Sequence, residues 1–100
     1  TLGRLRDQFV SRPNVLLYHA PESIAQVAES GVNLMLVGHT HQGQQFPFQL
    51  VTALVHKGFD YGLYTIGNLT LYTTSGVGTW GPAMRIGTQS EIVALTLEKQ

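Results

Sequence analysis

Cysteine is missing from all 100 residues, so disulfides and thiolate metal sites are excluded. Charge is scarce too: Asp, Glu, Lys and Arg make up 12%, about half of the ~25% usual for a soluble domain. Formal net charge is zero at pH 7 and the basic residues are scattered, which leaves no electrostatic footprint for nucleic acid. No apolar run approaches the ~20 residues of a membrane span, and the stretch after Thr1 does not form a signal peptide. Neither an internal repeat nor a low-complexity tract is present. One hundred residues make one domain, 1–100, with a modest core. A self-sufficient small domain needs a charged rind, and this chain is short of one. One face is therefore expected to meet further chain or a partner.

The densest chemistry lies in His39-Thr40-His41, preceded by Gly38 and the apolar run Leu34-Met35-Leu36-Val37. The run reads as a buried strand that ends by presenting two imidazoles. Neutral imidazole is the commonest protein ligand for transition metals. In an extended segment, residues i and i+2 point to one side, so both rings are expected to face one cleft. Gly38 is expected to clear space at the strand end and to supply unusual backbone angles. A second apolar run, Val15-Leu16-Leu17-Tyr18, ends in His19. Between the two runs, Pro21 to Ser30 reads as a helix that starts on proline and stops at Gly31. Two buried strands joined by a helix form a parallel crossover, an α/β unit. Parallel strands share their carboxyl edge, where open α/β folds bind ligands, so His19, His39 and His41 are expected to converge.

The segment LLYHAP, followed by GVNLMLVGHTHQGQ, resembles the last two motifs of the calcineurin-like metallophosphoesterases, a lone histidine and then Gly-His-x-His. The similarity continues through Gly62-Leu63-Tyr64, LYTTSGVGTWGPAMR and the closing SEIVALTLEK, over roughly residues 14 to 98. These later segments are similar to a bacterial subgroup of membrane-associated or lipid-precursor phosphoesterases. The resemblance implies a four-layer α/β/β/α sandwich, of which this chain would be the carboxyl-terminal half. It implies two divalent metal ions, with Mn, Zn, Fe and Ni not distinguished. His19 and His39 would hold one ion and His41 the other, and the pair would activate water against a phosphoester or pyrophosphate substrate. Arg85 is a candidate phosphate contact on chemical grounds, because its planar fork suits phosphate oxygens.

The family's Asp-x-His, Gly-Asp and Gly-Asn-His motifs are not found here. Aspartate occurs only at Asp7 and Asp60, and Asn14, Asn33 and Asn68 are not followed by histidine. The chain also opens on Thr1 rather than methionine. It is therefore expected to be half of an enzyme, feeble by itself, with its missing ligands coming from an amino-terminal half, a second chain or self-association. Two other readings stand beside this one. The first is a stand-alone metal module in which three histidines hold one zinc and leave a position for water. The second is a non-catalytic scaffold with a phosphoesterase-like fold. The compartment, cytoplasmic or membrane-associated, is left open.

The remaining segments place the site. Leu2, Leu5, Phe9 and Val10 recur at helical spacing, and Arg12-Pro13-Asn14 ends that helix. After His41 the chain reads as irregular through Gly43 and Pro47, and the apolar Phe46, Phe48, Leu50, Val51 and Leu54 divide between loop and short helix. Gly62–Ile66 and Leu69–Thr74 read as a hairpin turning at Gly67-Asn68, followed by a glycine loop from Ser75 to Gly81. Ile92–Leu97 alternates like a final strand. Tyr18 is expected in the core, and His56 away from any site. Trp80 is divided between core and cleft. Asp60 is expected to begin the hairpin, with orientation of an imidazole as its alternative role. Ser75 lacks a histidine-acid relay and is not expected to be a nucleophile.

Overall fold

The computed structural model describes residues 2–5, 8 and 12–99. A short helix α1 (Leu2–Leu5) opens the chain; Phe9 and Val10, expected to continue it, lie outside the described residues. Then follow β1 (Val15–Leu17), α2 (Ile24–Ser30), β2 (Leu34–Val37), α3 (Phe48–Val55), β3 (Gly62–Ile66) and β4 (Leu69–Thr73). The four strands form one sheet in the order β1-β2-β4-β3. β1 and β2 pair in parallel with Leu16 opposite Met35, as the crossover requires. β4 lies parallel to β2 on its other side and antiparallel to β3, to which the expected Gly67-Asn68 turn connects it.

α2 begins at Ile24, and the Pro21-Glu22-Ser23 segment forms a bend before it. Gly31 ends the helix as expected, in the left-handed region at φ 92°. Ile24 and Val27 recur at helical spacing and press on the sheet, meeting Val32, Met35, Val37, Leu69 and Leu71. Met35, Leu69 and Leu71 are fully buried. Each such side chain stabilises the fold by about 1.5–3 kcal/mol relative to exposure.

Strand alternation sends the other residues to a face that, among the described residues, no helix or strand covers. Val15 and Leu17 of β1 and Leu63 of β3 stand exposed there, Leu17 at 73%. The expectation of two strands buried on both sides therefore fails for β1. It is an edge strand on a half-covered sheet, and Tyr18, expected in the core, is exposed as well.

Two further expectations change. Residues 48–55 form a helix, settling the choice between loop and helix, yet it buries none of its side chains. Residues 92–97 form no strand, and Ile92 is 91% exposed. Alternation alone does not make a strand; a partner edge must supply the hydrogen bonds, and among the described residues no strand pairs with this segment. Among the described residues no helix is long and apolar enough to cross a membrane.

Candidate metal centre

The sheet ladder runs past the strand ends and sets the histidines. Tyr18 donates its backbone N–H to Leu36 at 3.1 Å, and Gly38 donates to the carbonyl of His19 at 3.1 Å. That last bond fixes His19 beside the Gly38-His39 peptide on the neighbouring strand. The two rings meet with centroids 4.3 Å apart and planes tilted by 46°. Both residues are exposed at the carboxyl edge of β1 and β2.

His41 goes elsewhere. The expected extended tripeptide is a turn: His39 has φ 70°, Thr40 is right-handed helical at φ −66° and His41 has φ 47°. The i, i+2 rule holds only for extended backbone, so the two rings of the pair part company. Side-chain bonds hold the turn. Thr40 donates its hydroxyl to the carbonyl of Asp60 at 2.6 Å and accepts from the backbone N–H of Gln42 at 3.2 Å. Left-handed non-glycine residues continue at Gln42 and Gln44. Such conformations cost free energy and persist where surrounding bonds over-determine them. Asp60 takes part through its carbonyl and stands just before β3, as expected of a hairpin start.

Gly38 is not in the left-handed region, and a Cβ there would meet only the Thr74 methyl at an ordinary 3.5 Å. Its expected conformational role passes to Gly43. There φ is 71° and a Cβ would fall 2.5 Å from the backbone nitrogen of Gln49.

His41 is half-buried and faces Arg85, whose Nη2 lies 3.2 Å from His41 Nδ1. Burial first, then the Arg85 guanidinium and His39, hold the His41 imidazole below its ordinary pKa range. Arg85, a candidate phosphate contact, instead faces the chain's own acceptors. Nε and Nη2 donate to the Gly78 carbonyl at 2.9 and 2.8 Å, and Nη2 also reaches Ser75 O at 2.9 Å. Nη1 lies 3.3 Å from Gln89 O and 3.4 Å from His41 O. The five guanidinium donors are thus committed to binding the glycine loop onto the histidine turn.

Two residues that sequence reasoning missed complete this support. Gln44 is buried, with its amide clamping the loop: Nε2 donates to Trp80 O at 2.8 Å and Oε1 accepts from Trp80 N at 2.8 Å. Glu91 accepts from Thr74 Oγ1 at 2.8 Å, Ser75 N at 3.0 Å, Tyr61 Oη at 3.1 Å and Tyr72 Oη at 3.2 Å. Burial pushes its carboxyl up, but these donors outweigh that and leave it below its ordinary value. Nothing in its residue type marks Gln44, since glutamine is ordinarily exposed. No local pattern marks Glu91. A cavity of about 500 Å³ runs from Gln42, next to His41, to Glu91.

Other candidates fall into place. Ser75 is buried and donates its hydroxyl to Gln89 O at 2.8 Å, with no histidine partner among its bonds. Trp80 is exposed, which excludes the core reading, and lines a small recess with Gln44 and Phe48. His56 caps α3 and borders a different cavity with Lys57 and Glu22.

The structure therefore brings together two of the three expected ligands. Among the described residues no group of three or more His, Cys, Asp or Glu could hold a metal ion. His19 and His39 fit an ion as a partial set of two imidazole nitrogen donors; a third ligand and a bridging carboxylate have to come from elsewhere.

No family model matches the chain, and no solved structure does. Curated relatives do. An uncharacterized metallophosphoesterase of Campylobacter jejuni is 43% identical over 97% of this chain and 26% of its own length. One of Bacillus subtilis is 36% identical over 98% of this chain and 34% of its own. A phosphodiesterase of Escherichia coli is 34% identical over 85% of this chain and 32% of its own. The chain thus spans about a quarter to a third of the length of these relatives. Over nearly the whole of its hundred residues, the chain is similar to one part of several proteins named metallophosphoesterases.

Proposed function

We propose that this chain carries part of the metal site of a metal-dependent phosphoesterase that hydrolyses a phosphoester or pyrophosphate bond. The observation behind the reading is the ring-to-ring approach of His19 and His39 from the ends of two parallel strands. Divalent ions at such an edge supply Lewis acidity and lower the pKa of a bound water. The chain's own residues position and shield. The ladder bond from Gly38 fixes His19, the Thr40 hydroxyl fixes the turn, and Arg85 with Gln44 draws the glycine loop over the turn.

A dinuclear centre of the calcineurin-like kind needs carboxylates that these hundred residues do not carry in the family's motifs. Two divalent ions about 3.5–4 Å apart repel strongly without anionic ligands between them. Those ligands come, in this reading, from chain beyond these residues or from a second chain. The same source would cover the open face of the sheet and so build the four-layer sandwich.

Native mass spectrometry with metals retained tests the proposal. The chain alone should hold one ion loosely or none, and gain tight binding and phosphodiesterase turnover when the missing portion of its relatives is joined to it. Substantial metal-dependent turnover by the pure 100-residue chain would overturn the shared-ligand reading.

A further inference from the structure

We propose that the cavity beside the histidine turn receives an uncharged, hydroxyl-rich portion of the phosphoester, a sugar or another polyol. The inference rests on the phosphoesterase reading above and names a substrate class for the same site.

The bond from Thr40 to the Asp60 carbonyl brings Gln42 and Tyr61, near neighbours of the bonded pair in sequence, to one cavity of about 500 Å³. That volume suits a small molecule. Residues 87–91 line the rest, and they are tied down. Ile86 donates its backbone N–H to the Gln44 carbonyl at 2.9 Å, and Thr88 Oγ1 donates to the same oxygen at 3.1 Å. The backbone N–H of Glu91 donates to Gly76 at 2.9 Å. Gly87, at φ 77°, lets the segment pass where a Cβ would fall 2.8 Å from Gln49 Nε2. A wall held in this way is formed before a ligand arrives, which lowers the cost of binding.

The groups on the wall decide what fits. Gln42 bonds to the turn through its backbone N–H, and Gln89 bonds to Ser75 and Arg85 through its carbonyl. Their side-chain amides and the Ser90 hydroxyl have no partner among the described residues and line the cavity. Glu91 Oε1 takes three donors, whereas Oε2 accepts only from Tyr61 Oη and keeps a lone pair free. Donors and acceptors are thus mixed, with no Lys, Arg or His in the lining. An anion would meet the ionised Glu91 carboxylate with no cation to offset it, since Arg85 is spent on carbonyls. A cation would meet amide and hydroxyl donors. A flat base needs apolar surface over its faces, and Tyr61 is the one ring in the lining. A hydroxyl both donates and accepts, so a row of hydroxyls matches the mixture. The phosphate then lies at the His19–His39 edge and the polyol in the cavity.

Amide NMR titration of the full metal-free chain reads the cavity directly. At least one of methyl glucoside and myo-inositol is expected to shift Gln42, Tyr61 and residues 87–91 saturably. Inorganic phosphate, tetramethylammonium and uracil should leave those resonances in place. The double variant Gln42→Ala/Gln89→Ala removes two amides that the fold does not use, and should bind the polyol on the order of tenfold more weakly. Saturation by phosphate, tetramethylammonium or uracil overturns the polyol assignment. So do undiminished affinity in the variant, polyol shifts at other residues, and no shift at all. Metal-dependent turnover of an aryl phosphodiester that carries no polyol, by the chain joined to the missing portion of its relatives, tests the phosphoesterase reading separately. Turnover without polyol binding overturns the cavity assignment alone. Polyol binding without turnover overturns the phosphoesterase reading, and with it the placing of the polyol on a phosphoester.

Discussion

His19 and His39 stand ring to ring at 4.3 Å because the carbonyl of one accepts from the residue just before the other. That bond extends the β1–β2 ladder beyond the formal strands, so the pairing of imidazoles is a property of strand register. A slip of one residue would turn one ring to the opposite face.

The backbone at His39 lies at φ 70°, a region that disfavours any Cβ. His39→Gly and His39→Ala both remove the ring, but only alanine keeps the strain. Urea denaturation should find the glycine variant more stable than the alanine variant by about 1 kcal/mol. Equal stabilities would mean that the turn does not hold a positive φ in solution.

The two glycines of GHTHQG should respond oppositely to alanine. Gly43→Ala puts a methyl 2.5 Å from the Gln49 backbone, at a positive φ, and should destabilise the fold by roughly 2 kcal/mol or more. Gly38→Ala meets one methyl at 3.5 Å and should stay within about 1 kcal/mol of wild type. Thermal melts of the two variants decide the matter.

Glu91 makes stability depend on acid. Its folded pKa is held below the ordinary value by Thr74, Ser75, Tyr61 and Tyr72, against the upward push of burial. The contribution is therefore present above the unfolded carboxylate pKa of about 4.3 and is lost as pH falls through the lower folded value. Glu91→Gln should flatten that acid limb in melts taken between neutral pH and about pH 3. An unchanged limb would assign it to another carboxylate.

The parts of this architecture visible in the sequence are those that local pattern controls. Two apolar runs separated by a glycine-stopped segment read as strand, helix and strand, although the helix starts at Ile24 and not on Pro21. The hairpin around Gly67-Asn68 is equally local. The convergence of His19 with His39 followed from the shared carboxyl edge of parallel strands. The parting of His41 did not, because its cause is long-range: Thr40 bonds to Asp60, and Arg85 gathers carbonyls from a glycine loop. Backbone acceptors are present at every residue, so no residue pattern announces which ones a guanidinium will collect. The exposed side of β1 was misread for a related reason. An apolar run reports that a face avoids water, and says nothing of which element covers it.

Ile92–Leu97 is uncharged, free of proline and rich in branched side chains, and lies outside the sheet. A hexapeptide of this type is able to stack with its own copies into cross-β fibrils once its backbone is free. Glu91 at one end and Glu98-Lys99 at the other stand in gatekeeper positions, since like segments brought into register would also stack their charges. The bonds from Tyr61, Tyr72 and Thr74 that hold Glu91 to the body of the chain also moor one end of the segment. The carboxylate that ties Thr74 and Ser75 to this segment therefore also keeps one end of the hexapeptide from its copies.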